Sequence, residues 1–273
     1  ETPLDHDPTF NTIGWNSSYS GLPIPEPEMR EWVDSTVADI FSLRPKRVLE
    51  VGCGTGLLLF RIAPQCEAYV GTDVSEISLD QLRRAVSEHL PQLPAGAVLR
   101  KEADDFEGLR GFDGIILNSV VQYFPGVEYL VRVLEKAVDA LDEGGFIYVG
   151  DVRSMPLLEA ARTSIELSHA TSSLSIEELR SQVQKAVNEE KELVIDPRFF
   201  FALKKHLPRI SRVEVAPKRG IHHNELTRFR YQVVIHVQAN ESSTEEFDWR
   251  DWRKGPVSLA DLLRSPVSHC GHS

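Results

Sequence analysis

The residues richest in chemical character form one short run, Glu50-Val51-Gly52-Cys53-Gly54-Thr55-Gly56, directly after the β-type stretch Arg47-Val48-Leu49. Glycines at such a turn let the backbone bend sharply and approach a ligand closely, with φ values that a Cβ would penalise. Alone, a turn of this kind also serves phosphate loops, dinucleotide sites and plain strand–helix connections. Two details discriminate. No Gly-Lys-Ser/Thr follows, which removes the phosphate-loop reading. The spacing is Gly-x-Gly-x-Gly, not the Gly-x-Gly-x-x-Gly of dinucleotide folds, which disfavours a nicotinamide oxidoreductase.

Acids follow in register. Asp73 ends the next apolar stretch, where a carboxylate can accept both hydroxyls of a ribose. Asp104, Asp105 and Phe106 follow the third stretch, where an acid suits an exocyclic amine and an aromatic ring suits the face of adenine. Asp105 reads equally well as a helix cap or a solvated acid. Acids at Glu50, Asp73 and Asp104 around one nucleoside suit a cationic ligand, and S-adenosylmethionine is such a ligand. Cys53 reads as a small buried side chain.

Asn118, Ser119, Gln122 and Tyr123 follow the fourth apolar stretch, on the edge where open α/β sheets bind ligands, so the acceptor is expected there. His223 with Glu225 two residues on can act as a base, the carboxylate orienting the imidazole. The competing reading has His223 capping a turn and Glu225 pairing with Arg228. Trp15 and Tyr19 can form a lid, an aromatic face over a sulfonium, or can simply pin an arm to the core. Asp104, Asp105 and Asp151 have no recognisable ligand spacing, so no metal is expected. His269-Cys270-Gly271-His272 reads as a frayed tail. Arg198, Lys204, Lys205 and Arg209 read as a solvated helix ahead of a docking patch.

Positioning these groups requires alternating elements. Short β-type runs at 47–51, 68–72, 97–101, 114–117 and 146–150 have helical stretches at 76–90 and 129–141 between them. That alternation predicts an α/β fold with a parallel sheet and right-handed crossovers. An irregular arm over 1–25 leads into a helix at 26–43, which Pro45 stops; residues 57–62 read as a buried helix. Beyond Asp151 come helices at 157–167, 176–190 and 199–206, strands at 212–216 and 228–237, and a Leu-rich helix at 259–263. The expected layout is an arm and lid helix over 1–43, a core over 44–238 with a helical insert at about 155–192, and a tail over 239–273.

The chain has 273 residues, and 30 basic against 41 acidic side chains give a net charge of −11. Nucleic-acid binding needs excess positive charge to displace counterions, and docking on an anionic membrane needs the same, so neither is expected. Three cysteines, none in a Cys-x-x-Cys pair, suit a cytoplasmic protein rather than a disulfide framework. The first residue is Glu1, not Met, which is expected of a piece of a longer polypeptide.

Residues 47–150 resemble the Rossmann-like core of class I S-adenosylmethionine-dependent methyltransferases, with Glu50 to Gly56 as the first motif. The resemblance implies that the glycine loop passes under the methionine moiety, Asp73 binds ribose and Asp104 meets the adenine amine. It also makes the last two strands an antiparallel terminal hairpin. Gly14-Trp15-Asn16-Ser17-Ser18-Tyr19, the run from Leu117 to Pro125 and the run from His223 to Tyr231 resemble methyltransferase domains embedded in nonribosomal peptide and polyketide synthases. This implies an acceptor tethered by phosphopantetheine to an acyl or peptidyl carrier protein, with neighbouring synthase domains in cis. Members methylate a backbone nitrogen or a hydroxyl oxygen. A His223 base favours oxygen by a narrow margin; a carrier-bound aminoacyl nitrogen is the alternative, and a binding module without chemistry is a third.

Overall fold

Strand β1 (Arg47–Val51) sends its side chains alternately to two cores: Val48 to one, Leu49 and Val51 to the other. Strand β4 (Gly114–Asn118) does the same, with Ile116 on the first side and Ile115 and Leu117 on the second. Both faces of these strands are covered, which is why, apart from Glu50 and the end residues Arg47 and Asn118, they read as apolar runs rather than alternating ones.

The computed structural model describes residues 7–141 and 143–238. The 259–263 helix and the His269 to His272 segment expected from sequence lie outside the described residues. The chain divides into two units, Glu1–Ser242 and Ser243–Ser273, and all described residues belong to the first.

The remaining elements are α1 (Glu26–Ser42), α2 (Leu59–Ile62), β2 (Ala68–Asp73), α3 (Glu76–His89), β3 (Val98–Arg100), α4 (Val127–Ala140) and β5 (Gly144–Arg153). After them come α5 (Leu158–His169), α6 (Ile176–Asn188), α7 (Arg198–His206), β6 (Ile210–Pro217), α8 (Glu225–Arg228) and β7 (Arg230–Gln238). The seven strands run in the order β3-β2-β1-β4-β5-β7-β6. Pairs from β3 to β5 are parallel, and β7 is antiparallel to both β5 and β6. This is the expected mostly parallel sheet with an antiparallel terminal hairpin. Its order reverses at β1 and β4, and ligands bind beyond the carboxyl ends of strands at such a switch point.

Helices α1 and α3 pack on the face that holds Val48, Leu59 and Ile116; α4 and α7 pack on the face that holds Leu49, Leu117 and Ile235. Residues 57–62, expected to be one buried helix, form only a four-residue α2, because the glycine loop occupies the chain up to its start. The last strand begins at Arg230, two residues later than expected, because Asn224 caps α8 by accepting hydrogen bonds from Leu226 and Thr227 backbone N–H groups. Among the described residues no helix is long and apolar enough to cross a membrane.

Candidate active site

The turn after β1 is fastened by hydrogen bonds to β2 and its end. Backbone N–H groups of Gly52 and Cys53 both donate to the Thr72 carbonyl, at 2.8 and 2.9 Å. Asp73 at the end of β2 accepts from Gly54 N at 2.9 Å with one oxygen and from Ser75 N at 2.9 Å with the other. Gly52 has φ of 79°, and a Cβ on it would lie 2.6 Å from Val120 Cγ2 on the loop after β4. Only glycine lets these two loops approach so closely. Gly54, at φ of 52°, faces open space instead.

Between the loops lies a cavity of about 590 Å³, in the range of small-molecule sites. Its walls include Glu50, Gly52, Gly54 and Asp73 on the β1–β2 side and Asn118, Ser119, Gln122 and Tyr123 after β4. Trp15 of the arm and Glu225 of α8 also line it.

Glu50 is buried and accepts a 2.6 Å hydrogen bond from the Tyr69 hydroxyl. Burial pushes its carboxyl up to about 8; the charge of Asp73 adds to the rise and the Tyr69 bond opposes it. Burial likewise pushes the Cys53 thiol well above its ordinary value, so it is an inert packing group.

The β4 and β5 ends form a second polar cluster. Asp151 has no solvent exposure and accepts from Ser119 Oγ at 2.5 Å, Arg230 at 2.5 Å and Trp32 Nε1 at 3.3 Å. Ser119 and Asp151 both have positive φ, 54° and 61°. Each such residue costs about 1–2 kcal/mol when it carries a Cβ, and such strain collects at functional sites. Asn118 Oδ1 is buried with no donor among the described residues, packed into the space that the missing Cβ of Gly150 leaves.

The insert closes the far end. Glu190 accepts from Arg153 at 2.8 Å and Arg162 at 2.7 Å, and Arg153 also pairs with Glu192 at 2.7 Å. Burial works against ionisation of Glu190, but the hydrogen bonds from Arg153, Glu192 N and Arg162 prevail and lower it to about 2. All four side chains line the cavity. Sequence reading missed them, since they come from the end of β5, from α5 and from the segment after α6, and no local pattern marks that these turn toward one another.

The arm lies over this cavity. Ser18 N donates to Glu225 Oε1 at 2.6 Å, and Thr55 Oγ1 donates to the Asn11 carbonyl at 2.7 Å. The Tyr19 hydroxyl shares a 3.0 Å bond with Ser164 Oγ of α5, and its carbonyl accepts from His169 Nε2 at 2.6 Å. Tyr19 thus ties arm to insert and is not among the cavity-lining residues, whereas Trp15 lines it and packs on Trp32 with ring centroids 4.6 Å apart.

Several expected site residues stand elsewhere. Gly56 packs against Leu82 and Phe60 outside the cavity. Asp104, Asp105 and Phe106 line a separate cavity of about 460 Å³. There Tyr129 donates to Asp104 at 3.2 Å and Lys101 to Asp105 at 2.9 Å. His223 is exposed, makes no side-chain hydrogen bond among the described residues, and does not line the main cavity. Its neighbour His222 pairs with Glu31 at 2.8 Å, and Glu225 is engaged by Ser18 rather than by Arg228. No group of three or more His, Cys, Asp or Glu side chains forms a metal-binding cluster among the described residues.

The donor set fits a nucleoside with a cationic tail. Glu50 and Asp73 supply acidic groups, the glycine loop leaves room for close approach, and Trp15 offers an aromatic face.

Comparison with known proteins agrees. A family described as methyltransferase domain matches residues 49–147. The chain is 47% identical over 264 residues to the chondramide synthase of Chondromyces crocatus, covering 96% of this chain and 7% of that protein. It is 43% identical over 267 residues to a probable non-canonical nonribosomal peptide synthetase of Salinispora arenicola, covering 95% of this chain and 3% of that one. It is 36% identical over 269 residues to the cyclosporin synthetase of Tolypocladium inflatum, covering 92% and 2%. The chain thus spans less than a tenth of these relatives' length. Among solved structures, the fold is similar to that of the N-methyltransferase NodS of Bradyrhizobium japonicum in complex with S-adenosyl-L-homocysteine. That match has a TM-score of 0.51 at 12% identity, over 81% of this chain and 99% of that one. The chain carries an S-adenosylmethionine-dependent methyltransferase domain and is similar over nearly its whole length to segments of nonribosomal peptide synthetases.

Proposed function

We propose that the domain methylates the amino nitrogen of an aminoacyl thioester, tethered through phosphopantetheine to a peptidyl carrier protein of the same assembly line. The position of His223 carries this reading. A hydroxyl is a poor nucleophile until a base takes its proton, whereas a neutral amine needs only its free lone pair. The narrow preference for oxygen rested on His223 as that base, and His223 stands exposed outside the cavity. The Salinispora protein is among the relatives named as nonribosomal peptide synthetases, and a peptide bond is formed from an amino group.

Glu50, Gly52, Gly54, Asp73 and Trp15 would hold the cofactor, with Asp73 on the ribose side and Trp15 over the tail. When bound, S-adenosylmethionine supplies a methyl on a sulfonium and departs as a neutral thioether. The wall after β4 then aligns the amine for in-line displacement, and most of the catalytic work is that alignment. The nitrogen lone pair makes the new N–C bond, and the resulting ammonium gives up one proton. That proton passes to solvent on product release, and Glu225, buried in the wall, holds Ser18 N of the arm. The arm and α5 exclude water around the pair.

Matched aminoacyl and hydroxyacyl pantetheine thioesters test the acceptor class. Methylation of the aminoacyl compound at least ten times faster, by about 1.4 kcal/mol or more of barrier, is expected. Transfer to the hydroxyacyl compound alone would restore the oxygen reading.

A further inference from the structure

The acceptor wall holds two hydrogen-bond acceptors, a Ser119 hydroxyl whose one hydrogen is spent and a Gln122 amide oxygen whose amide is anchored through Nε2. Ser119 has a single hydroxyl hydrogen, and Asp151 takes it at 2.5 Å. Gln122 Nε2 donates to the Ser119 carbonyl at 2.9 Å, which leaves its amide oxygen without a partner among the described residues. Both side chains line the cavity, and Gln122 is 6% exposed. Their rotors have little freedom. Ser119 N donates to the Gly150 carbonyl at 3.2 Å, and Leu193 N donates to the Gln122 carbonyl at 2.8 Å, so backbone and side chain are fixed together. Asp151 is fixed in turn by Arg230 and Trp32.

From this geometry we infer that Ser119 and Gln122 form a two-acceptor clamp for a primary amine, and that buried Asp151 sets its polarity. A neutral primary amine has two N–H donors and one lone pair. A hydroxyl has one donor, so it cannot fill both positions. With one N–H on Ser119 Oγ and the other on Gln122 Oε1, the lone pair is the only unheld valence and faces away from the wall. Were the Ser119 hydroxyl free to rotate, it could donate to that lone pair and block attack. Asp151 prevents this by taking the hydrogen. The charge-assisted bond it makes is stronger than a neutral one. Ser119 and Gln122 touch substrate in this account; Asp151 acts through Ser119 and is a positioning residue. The clamp also selects against the mono-methylated product, which has one N–H left and cannot fill both acceptors, so transfer stops after one methyl.

The inference rests on the amine reading, and one experiment separates the two. The full chain is assayed with aminoacyl and hydroxyacyl pantetheine thioesters and with the N-methylaminoacyl product as a third acceptor. Cofactor affinity is measured by calorimetry in parallel. For the aminoacyl substrate, Ser119→Ala and Gln122→Leu are each expected to lower kcat about 30-fold, the size of a lost transition-state hydrogen bond, with cofactor Kd within about two-fold of the parent. Asp151→Asn is expected to lower kcat at nearly unchanged KM. Gln122→Glu, which keeps an acceptor oxygen, is expected to recover part of the Gln122→Leu loss. Ser119→Ala at more than half the parent kcat would overturn the clamp while leaving the amine reading intact. Equal parent rates on the aminoacyl and N-methylaminoacyl compounds would do the same. Parent activity on the hydroxyacyl compound alone would overturn both.

Discussion

The Tyr69 hydroxyl donates to Glu50 Oε2 at 2.6 Å, joining two buried side chains on adjacent parallel strands. This one contact does not offset the desolvation of Glu50, whose carboxyl is raised from 4.5 to about 8. A raised folded-state value means the stability contribution is complete below pH 4.5 and is lost as pH rises through about 8. The loss is on the order of 3–5 kcal/mol at full expression. Denaturant unfolding of the parent should therefore show stability falling between pH 5 and 8, while Glu50→Gln stays flatter over the same window. Parallel curves for the two proteins would contradict the burial argument.

Cofactor binding should release a proton near neutral pH. Glu50 lines the cavity and is largely protonated at pH 7, so a cationic ligand beside it favours the ionised form. Calorimetry at pH 7 in buffers of different ionisation enthalpy should give different apparent heats, and affinity should rise between pH 6 and 8. Heats that do not depend on buffer would remove Glu50 from contact with the ligand's charge.

Gly52→Ala should be destabilising by about 2–4 kcal/mol, combining left-handed strain with overpacking. Its Cβ would meet Val120 Cγ2 at 2.6 Å, so Gly52→Ala with Val120→Ala should recover the packing part but not the strain. Thermal unfolding of the single and double variants separates these terms. Full recovery would show that the φ of 79° carries no cost.

Much of this was legible in the sequence because the chemistry is local. Doubly buried parallel strands read as apolar runs, and the glycine spacing with Asp73 at the end of β2 places a turn and an acid on one sheet edge. The polar floor was not legible. Asp151 gains its meaning from Arg230 and Trp32, which lie 79 and 119 positions away, and Arg162 from Glu190 across 28. Helix α8 did have a signal, the Asn224 and Thr227 capping pair, which outweighed the β-type side chains that follow. The pairing of His223 with Glu225 failed for a different reason. Two adjacent histidines cannot be told apart by pattern, and Glu225 is claimed by Ser18, 207 positions away.

That contact sets the next expectation. Glu225→Ala frees the arm at Ser18, so it should raise KM for the acceptor several-fold and speed cofactor release. One hydrogen bond to a charged group is worth about 1.5–3 kcal/mol. His223→Ala should leave kcat and KM within about two-fold, as expected of a surface change away from the site. Stopped-flow release and steady-state kinetics check both, and a large kcat loss in His223→Ala would return it to the mechanism.

The most direct measurement uses a peptidyl carrier protein loaded with an amino acid through phosphopantetheine, incubated with the domain and S-adenosylmethionine and followed by intact-protein mass spectrometry. The expected result is a gain of a single methyl, located on the amino nitrogen by fragmentation, and no gain with Asp73→Ala at the same cofactor concentration. A methyl found on oxygen or carbon, or a loaded carrier left unchanged while the cofactor binds, would contradict it.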